Sequence, residues 1–306
     1  MYEKIAENRR NTLLLTASMM LLLLVLGYLL GAVLLNAPVA GLVLGLILAT
    51  IIALVSYFNG SSILLSAVGA REIQKADDPQ LFNVVEELSI AAGQPIPKIY
   101  LIDDPAPNAF ATGRDPQHAV VAITKGLREK LTRDELQGVM AHELGHIQNR
   151  DILYMTMLAV IVGTIVMLAD IYWRSLRYGS LRGRQRGSSR SGKGSQGQAL
   201  LILFGVILAI VAPLLARIIQ MAASREREYL ADATAALLTR YPEGLASALE
   251  KIANDKEELD TPNRALQALF IVNPLDKHVP KSSLFDSHPP LEERIKRLRS
   301  MVTSST

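Results

Sequence analysis

No side chain between Asn11 and Ala70 carries a charge, and within that stretch residues 13–35 and 39–58 form two apolar blocks. Each block reaches the roughly 20 residues that cross bilayer hydrocarbon as a helix. In lipid every backbone N–H and C=O must be satisfied inside the segment, which leaves the helix as the accessible form for such a block. Asn36-Ala37-Pro38 separates the two as a turn. The expected product is a transmembrane helical hairpin over residues 1–70. A cleaved leader is the competing reading of the first block, but its apolar run is too long and no small-residue cleavage pattern precedes the second.

Half of the 306 residues are hydrophobic and a fifth are charged, unevenly distributed along the chain. Residues 71–151 have the composition of a soluble domain. Two more apolar blocks follow, 152–173 and 199–216, joined by a basic loop, 174–198, whose second half is rich in Gly, Ser and Gln. They predict a second apolar helical hairpin, residues 152–223, inserted into the soluble unit, which resumes over 224–306. The net charge of +3 is local in origin: Arg174, Arg177, Arg182, Arg184, Arg186, Arg190 and Lys193 stand together without an acid. Without them the rest of the chain is acidic, so the basicity does not point to a nucleic-acid partner. The absence of cysteine excludes disulfides and thiolate ligands and leaves His, Asp and Glu to bind metal.

The soluble part carries His142-Glu143-Leu144-Gly145-His146. Histidines four apart share one face of a helix, and the glutamate after the first points to the same side of a bound metal. Zinc held by two imidazoles and one further protein ligand keeps a position open for water and lowers that water's pKa toward neutrality. Glu143 is then the candidate general base. Thr132 and Glu135 form a capping box, and Leu136, Val139, Met140, Leu144 and Ile147 recur at helical spacing, predicting a helix over about 133–150. Upstream, Asp77-Asp78-Pro79 opens a helix with Leu81, Val84, Val85 and Leu88 on its apolar face, and Gly93 closes it. Short strands are predicted at Lys98–Ile102, Asn108–Thr112 and His118–Thr124. The stretch from Asn108 to Gly113 reads either as an ordinary strand or as an edge beside the metal, able to pair with an extended peptide of any sequence. The third ligand stays open among Glu226, Glu228, Asp232, His278 and His288. Glu228 and Asp232 lie one helical turn apart, so one can bind metal while the other accepts the N–H of a liganding histidine.

Taken together, His142-Glu143-x-x-His146 followed by Asn149-Arg150-Asp151, then Glu228-Tyr229-x-Ala231-Asp232, then Ser287-His288-Pro289-Pro290, closely resembles the HtpX family of bacterial membrane zinc metalloproteases. That family is related to the CAAX prenyl proteases of eukaryotic membranes. The resemblance spans nearly the whole chain and implies a mostly helical α+β fold: a zincin-like catalytic domain with a small sheet, combined with the N-terminal hairpin and the inserted one. It implies one zinc per chain, with His142, His146 and Glu228 as ligands, Glu143 as general base and Asp232 as partner of a liganding histidine. The strand Asn108, Ala109, Phe110, Ala111 resembles the family's substrate-pairing edge. His288 matches its C-terminal His-Pro element and is expected to donate to the oxyanion of the tetrahedral intermediate, with Arg294 as a supporting partner. Substrates would be misfolded membrane proteins and the role quality control. The same residues fit a narrow processing peptidase acting on tagged C-termini, as CAAX proteases do. From a different class come a membrane adaptor or chaperone with a vestigial metal site, against which the intact set of base and ligands speaks, and a small channel using the four apolar blocks, against which the near absence of polar residues in the first two speaks.

His146 and Glu228 meet at one metal only if an even number of crossings separates them, and residues 13–58 also cross twice, so the site lies on the side of the N-terminus. Lys4, Arg9 and Arg10 precede the first span while its far turn is uncharged. The positive-inside rule therefore expects an inner-membrane protein with its site facing the cytoplasm. The basic loop opposes this if both later blocks cross, and a hairpin that does not cross fully removes the conflict.

Overall fold

In the computed structural model, which describes residues 2–34, 36–161, 163, 225–255, 257, 269–271 and 289–303, the charge-free stretch forms two long antiparallel helices. These are α1 (Tyr2–Leu34) and α2 (Pro38–Ala67). Both are long and apolar enough to cross a membrane, and both extend beyond the predicted spans toward the soluble unit. They touch at glycines: a Cβ on Gly27 or on Gly41 would run into the other's carbonyl oxygen, and Gly31 and Gly45 continue the same seam. Small residues four apart allow this backbone contact, which in lipid replaces hydrophobic burial as the source of helix association.

The soluble unit is built on a four-stranded mixed sheet of order β1-β2-β4-β3, with β1 (Arg71–Glu72), β2 (Lys98–Ile102), β3 (Ala109–Gly113) and β4 (Ala119–Thr124). Only β2–β4 is parallel; β1 and β3 pair antiparallel with their neighbours. Successive side chains of a strand face opposite ways, and both faces of this sheet are covered. Ala119, Val121 and Ile123 of β4 and Ala109 and Ala111 of β3 pack with α3 (Pro79–Ala92) and α5 (Arg133–Gln148). Val120, Ala122 and Phe110 pack with Leu64 and Leu65 of α2 and with Ala159 and Val160 of α6 (Ile152–Ile161). Burial on both faces explains why β4 reads as a continuous apolar run rather than an alternating one.

Helix α3 begins where Asp78 accepts from the Leu81 N–H and ends at Gly93, in the left-handed region. Its four predicted apolar residues are all buried. Between β4 and α5 lies the short α4 (Lys125–Lys130), which the sequence reading did not separate. Helices α7 (Arg225–Thr239), α8 (Pro242–Asn254) and α9 (Leu291–Thr303) pack around α5 and one another. Of residues 152–223, expected as the inserted hairpin, the described ones are α6 and residue 163. The basic loop, the fourth apolar block, His278 and His288 lie outside them.

Candidate metal centre

Helix α5 starts from a complete capping box. The Thr132 hydroxyl accepts from the Glu135 N–H, and the Glu135 carboxylate accepts from the Thr132 N–H at 2.8 Å. From α8, Lys251 and Ser247 both donate to the same carboxylate at 2.7 Å. The helix is thus fixed at its first turn, and three turns on it carries His142, Glu143 and His146. The rings of the two histidines meet edge to face, with their Nε2 atoms 3.1 Å apart.

The third donor arrives from α7. Gly145 on α5 faces Ala231, so two helices with almost no side chain at the crossing approach closely. That approach brings Glu228 to His142 and His146, and one donor atom from each of the three lies within 4.8 Å of the others. Of the acids and histidines that spacing left open, Glu226, Glu228 and Asp232 are among the described residues, and of these Glu228 is the one in this cluster. One turn further along α7, an oxygen of Asp232 lies 3.0 Å from His142 Nδ1.

Two further groups surround these donors. Asp151 lies 3.1 Å from His146 Nδ1 and is almost wholly buried. The chain reaches this position by ending α5 at Gln148 and placing Arg150 at φ 60°. Arg294, expected to support His288, is fully buried and grips Asp232 with two hydrogen bonds, Nε–Oδ2 at 2.9 Å and Nη2–Oδ1 at 2.7 Å. Its remaining nitrogen faces Glu228 and the Ile271 carbonyl, each at 3.3 Å.

The charges are mutually dependent. Burial pushes the Asp232 carboxyl up, but Arg294 and His142 outweigh it and hold the group below the usual carboxylate range. Burial works against protonation of His146, yet Asp151, Glu228 and Glu143 together carry it to about 10. Burial likewise opposes His142, while Asp232 and Glu228 raise it. Burial raises Glu143, whose two carboxylate oxygens are enclosed without a well-formed hydrogen bond among the described residues. A pocket of carboxylates around two facing imidazoles attracts positive charge, and a divalent cation satisfies it where protons otherwise would. Two imidazoles and a carboxylate are also a donor set that catalytic zinc takes.

Strand β3 borders this centre, and Ala111 lines it together with Glu143, His146, Ile152, Met155 and Phe270. It is one of the two outermost strands of the sheet, but its edge is not open along its length. Ile271 N–H donates to the Ala109 carbonyl at 3.0 Å, and Gly113 N–H donates to the Thr156 hydroxyl of α6 at 3.1 Å. The physical reason is that backbone groups buried beside a core must find partners. Asn108, Ala109 and Phe110 are accordingly buried. Phe270 packs edge to face on Phe110 at 5.4 Å.

With this geometry in hand, comparison with known proteins gives a consistent result. Residues 75–302 match peptidase family M48. A protein named Protease HtpX homolog from Dictyoglomus turgidum is 50% identical over 262 residues, covering 84% of this chain and 82% of that one. Another of that name, from Caldanaerobacter subterraneus subsp. tengcongensis, is 44% identical over 302 residues, covering 99% and 98%. The crystal structure of S. mikatae Ste24p is similar in fold, with a TM-score of 0.50 at 21% identity over 97% of this chain and 67% of that one.

Proposed function

The chain belongs to peptidase family M48 and is a membrane metalloprotease of the HtpX type; on that premise we propose a zinc endopeptidase in which His142, His146 and Glu228 hold one ion. The observation that carries the reading is the convergence of three donor atoms within 4.8 Å, with the enclosed carboxylate of Glu143 beside them. Zinc bound there supplies Lewis acidity, polarising a water and a peptide carbonyl.

The chain's own residues do the rest. Glu143 takes the proton of the attacking water and returns it to the departing amine nitrogen. Asp232 accepts from His142 Nδ1, and Asp151 accepts from His146 Nδ1, so that each ring turns its Nε2 to the ion. Arg294 keeps Asp232 ionised and in place. An extended peptide pairs with the β3 edge at Ala111, within the stretch Asn108 to Ala111, and so lies against Glu143. His288 supplies a donor to the oxyanion. The four segments 1–70, 71–151, 152–223 and 224–306 act as membrane hairpin, first catalytic half, inserted hairpin and second catalytic half. Lys4, Arg9 and Arg10 set the site on the cytoplasmic side of the inner membrane, where misfolded membrane proteins are its substrates in quality control.

The test is zinc content and casein cleavage in detergent for the wild type, Glu143→Gln and Glu228→Ala. The expected outcome is one zinc with cleavage for the wild type, retained zinc with a loss of ~10³-fold in turnover for Glu143→Gln, and lost zinc for Glu228→Ala. Zinc retained by Glu228→Ala would move the third ligand elsewhere.

A further inference from the structure

The outward apolar side chains of the two long helices outline a belt. On α2 they run from Val39 to Phe58, with Leu44, Ile47 and Leu54 between, and only Ile63 lies beyond. Twenty residues of helix rise about 30 Å, the thickness of bilayer hydrocarbon. On α1 the outward apolar residues begin at Leu13, one turn after the exposed Arg9 and Arg10. At the matching end of the α2 belt, Tyr57 and Phe58 meet edge to face at 4.9 Å. The Arg114 guanidinium lies 6.0 and 5.3 Å from their ring centres. Aromatic rings joined to a cation belong at the headgroup level of a membrane. Two marks of different chemistry therefore place one boundary, between Arg10 and Leu13 on α1 and at Tyr57–Phe58 on α2.

The catalytic unit is fastened just outside that boundary. Asn8 donates to the Asn149 carbonyl at 3.2 Å, at the end of the helix that carries His146. Thr112 of β3 donates to the Ser61 hydroxyl at 3.3 Å, and Gly60 lies against Thr156. Asn8 is two residues from Arg10 and Ser61 is three from Phe58, helical rises of about 3 and 5 Å. Strand β3 and the end of α5 thus lie in the headgroup layer rather than in bulk solution.

We infer that the centre takes extended polypeptide immediately beside the point where it leaves the bilayer, selected by the depth at which α1 and α2 hold β3. The inference rests on the reading of the centre as a peptidase with β3 as its pairing edge. An extended chain advances about 3.3 Å per residue, so a segment within about ten residues of a span's end reaches β3 directly. The local concentration of a more distant segment falls roughly as the −3/2 power of the tether, about fifteenfold between ten and sixty residues.

Depth and cleavage test this separately, on the full-length protein in liposomes. The chain has no cysteine, so Leu48→Cys and Gln117→Cys each carry a single fluorophore, the former at the exposed middle of the α2 belt and the latter in the exposed turn after β3. Nitroxide lipids labelled at mid-chain are expected to quench at position 48, and those labelled at the headgroup to quench at 117 at least threefold more than mid-chain ones. Quenching at 117 by aqueous iodide alone, as for free dye, would overturn the inference. For cleavage, single-span substrates carry one unfolded segment ten or sixty residues from the span, with casein alongside. A rate about fifteenfold higher for the near segment is expected, and equal rates would also overturn it. Failure to cleave anything, casein included, counts against the peptidase reading, and the labels still decide the depth.

Discussion

Where α1 meets α2 the two backbones touch through Gly27 and Gly41, and no charge lies between them. Where α5 meets α7, Gly145 and Ala231 also bring two helices close, but there the space beside the contact is filled with charge: Asp151, Glu143, Asp232 and Arg294 are all at most 1–3% exposed. The same device, a crossing without side chains, serves opposite ends. In the hairpin it gives van der Waals contact in a solvent that offers no hydrophobic drive. In the catalytic unit it lets a carboxylate reach two imidazoles, and the cost of burying Asp151, Asp232 and Arg294 is offset by the partners each of them has.

The contrast breaks most sharply at Arg294. Arg294→Met leaves the Asp232 charge buried with His142 as its remaining polar partner, at an expected cost of about 3–5 kcal/mol. Denaturant unfolding of the soluble unit in detergent measures it, and near-native stability would mean that the guanidinium is dispensable. Gly41→Leu attacks the other half. The helices must part, costing about 1–3 kcal/mol of hairpin stability, read as lost resistance of the hairpin to detergent or heat while zinc content stays unchanged.

Lys251→Met sharpens the comparison at the start of α5. Burial pushes the Glu135 carboxyl up, but the hydrogen bonds from Lys251, Thr132 and Ser247 hold it at about 2, below its ordinary 4.5. A carboxyl depressed in the folded state stabilises fully above the unfolded value, and that contribution is lost as pH falls from about 4.5 toward 2. Lys251→Met should cost about 1–2 kcal/mol at pH 7 and flatten the decline in stability between pH 5 and pH 2. The smallest effect belongs to the exposed pair Arg133–Glu87, 2.6 Å apart with both side chains half exposed. Arg133→Ala should change stability by under about 0.5 kcal/mol in the same denaturation assay, and a loss above 1 kcal/mol would contradict a solvent-screened pair.

Legibility in the sequence followed locality. The caps of α3 and α5, the strand β2 and the two apolar helices are written within a few residues of themselves, and each stands within a residue or two of its expected place or contains the expected span. The parallel pairing of β2 with β4 and the two-residue β1 depend on distant partners, and no local pattern carried them. The histidine pair was legible because four residues make one helical turn. Glu228 could not be singled out by spacing, because it reaches the pair through the packing of α7 on α5. Asp151 stands in the motif Asn149-Arg150-Asp151, but its role beside His146 is not assigned by spacing. An acid directly ahead of an apolar block needs a partner, and a left-handed residue between it and His146 turns it back toward the ring.

The covered edge of β3 has a consequence for life in a crowded membrane. Side chains and backbone groups alternate along a strand, so Ala109, Ala111 and Gly113 turn their amides outward, and Ile271 and Thr156 occupy the first and last of these. Copies of one membrane protein share height and orientation, which is the arrangement most apt to join outermost strands into a continuous sheet. With two of its three outward residues occupied, β3 can take one short segment at Ala111, against Glu143, but not the long strand of a neighbouring copy.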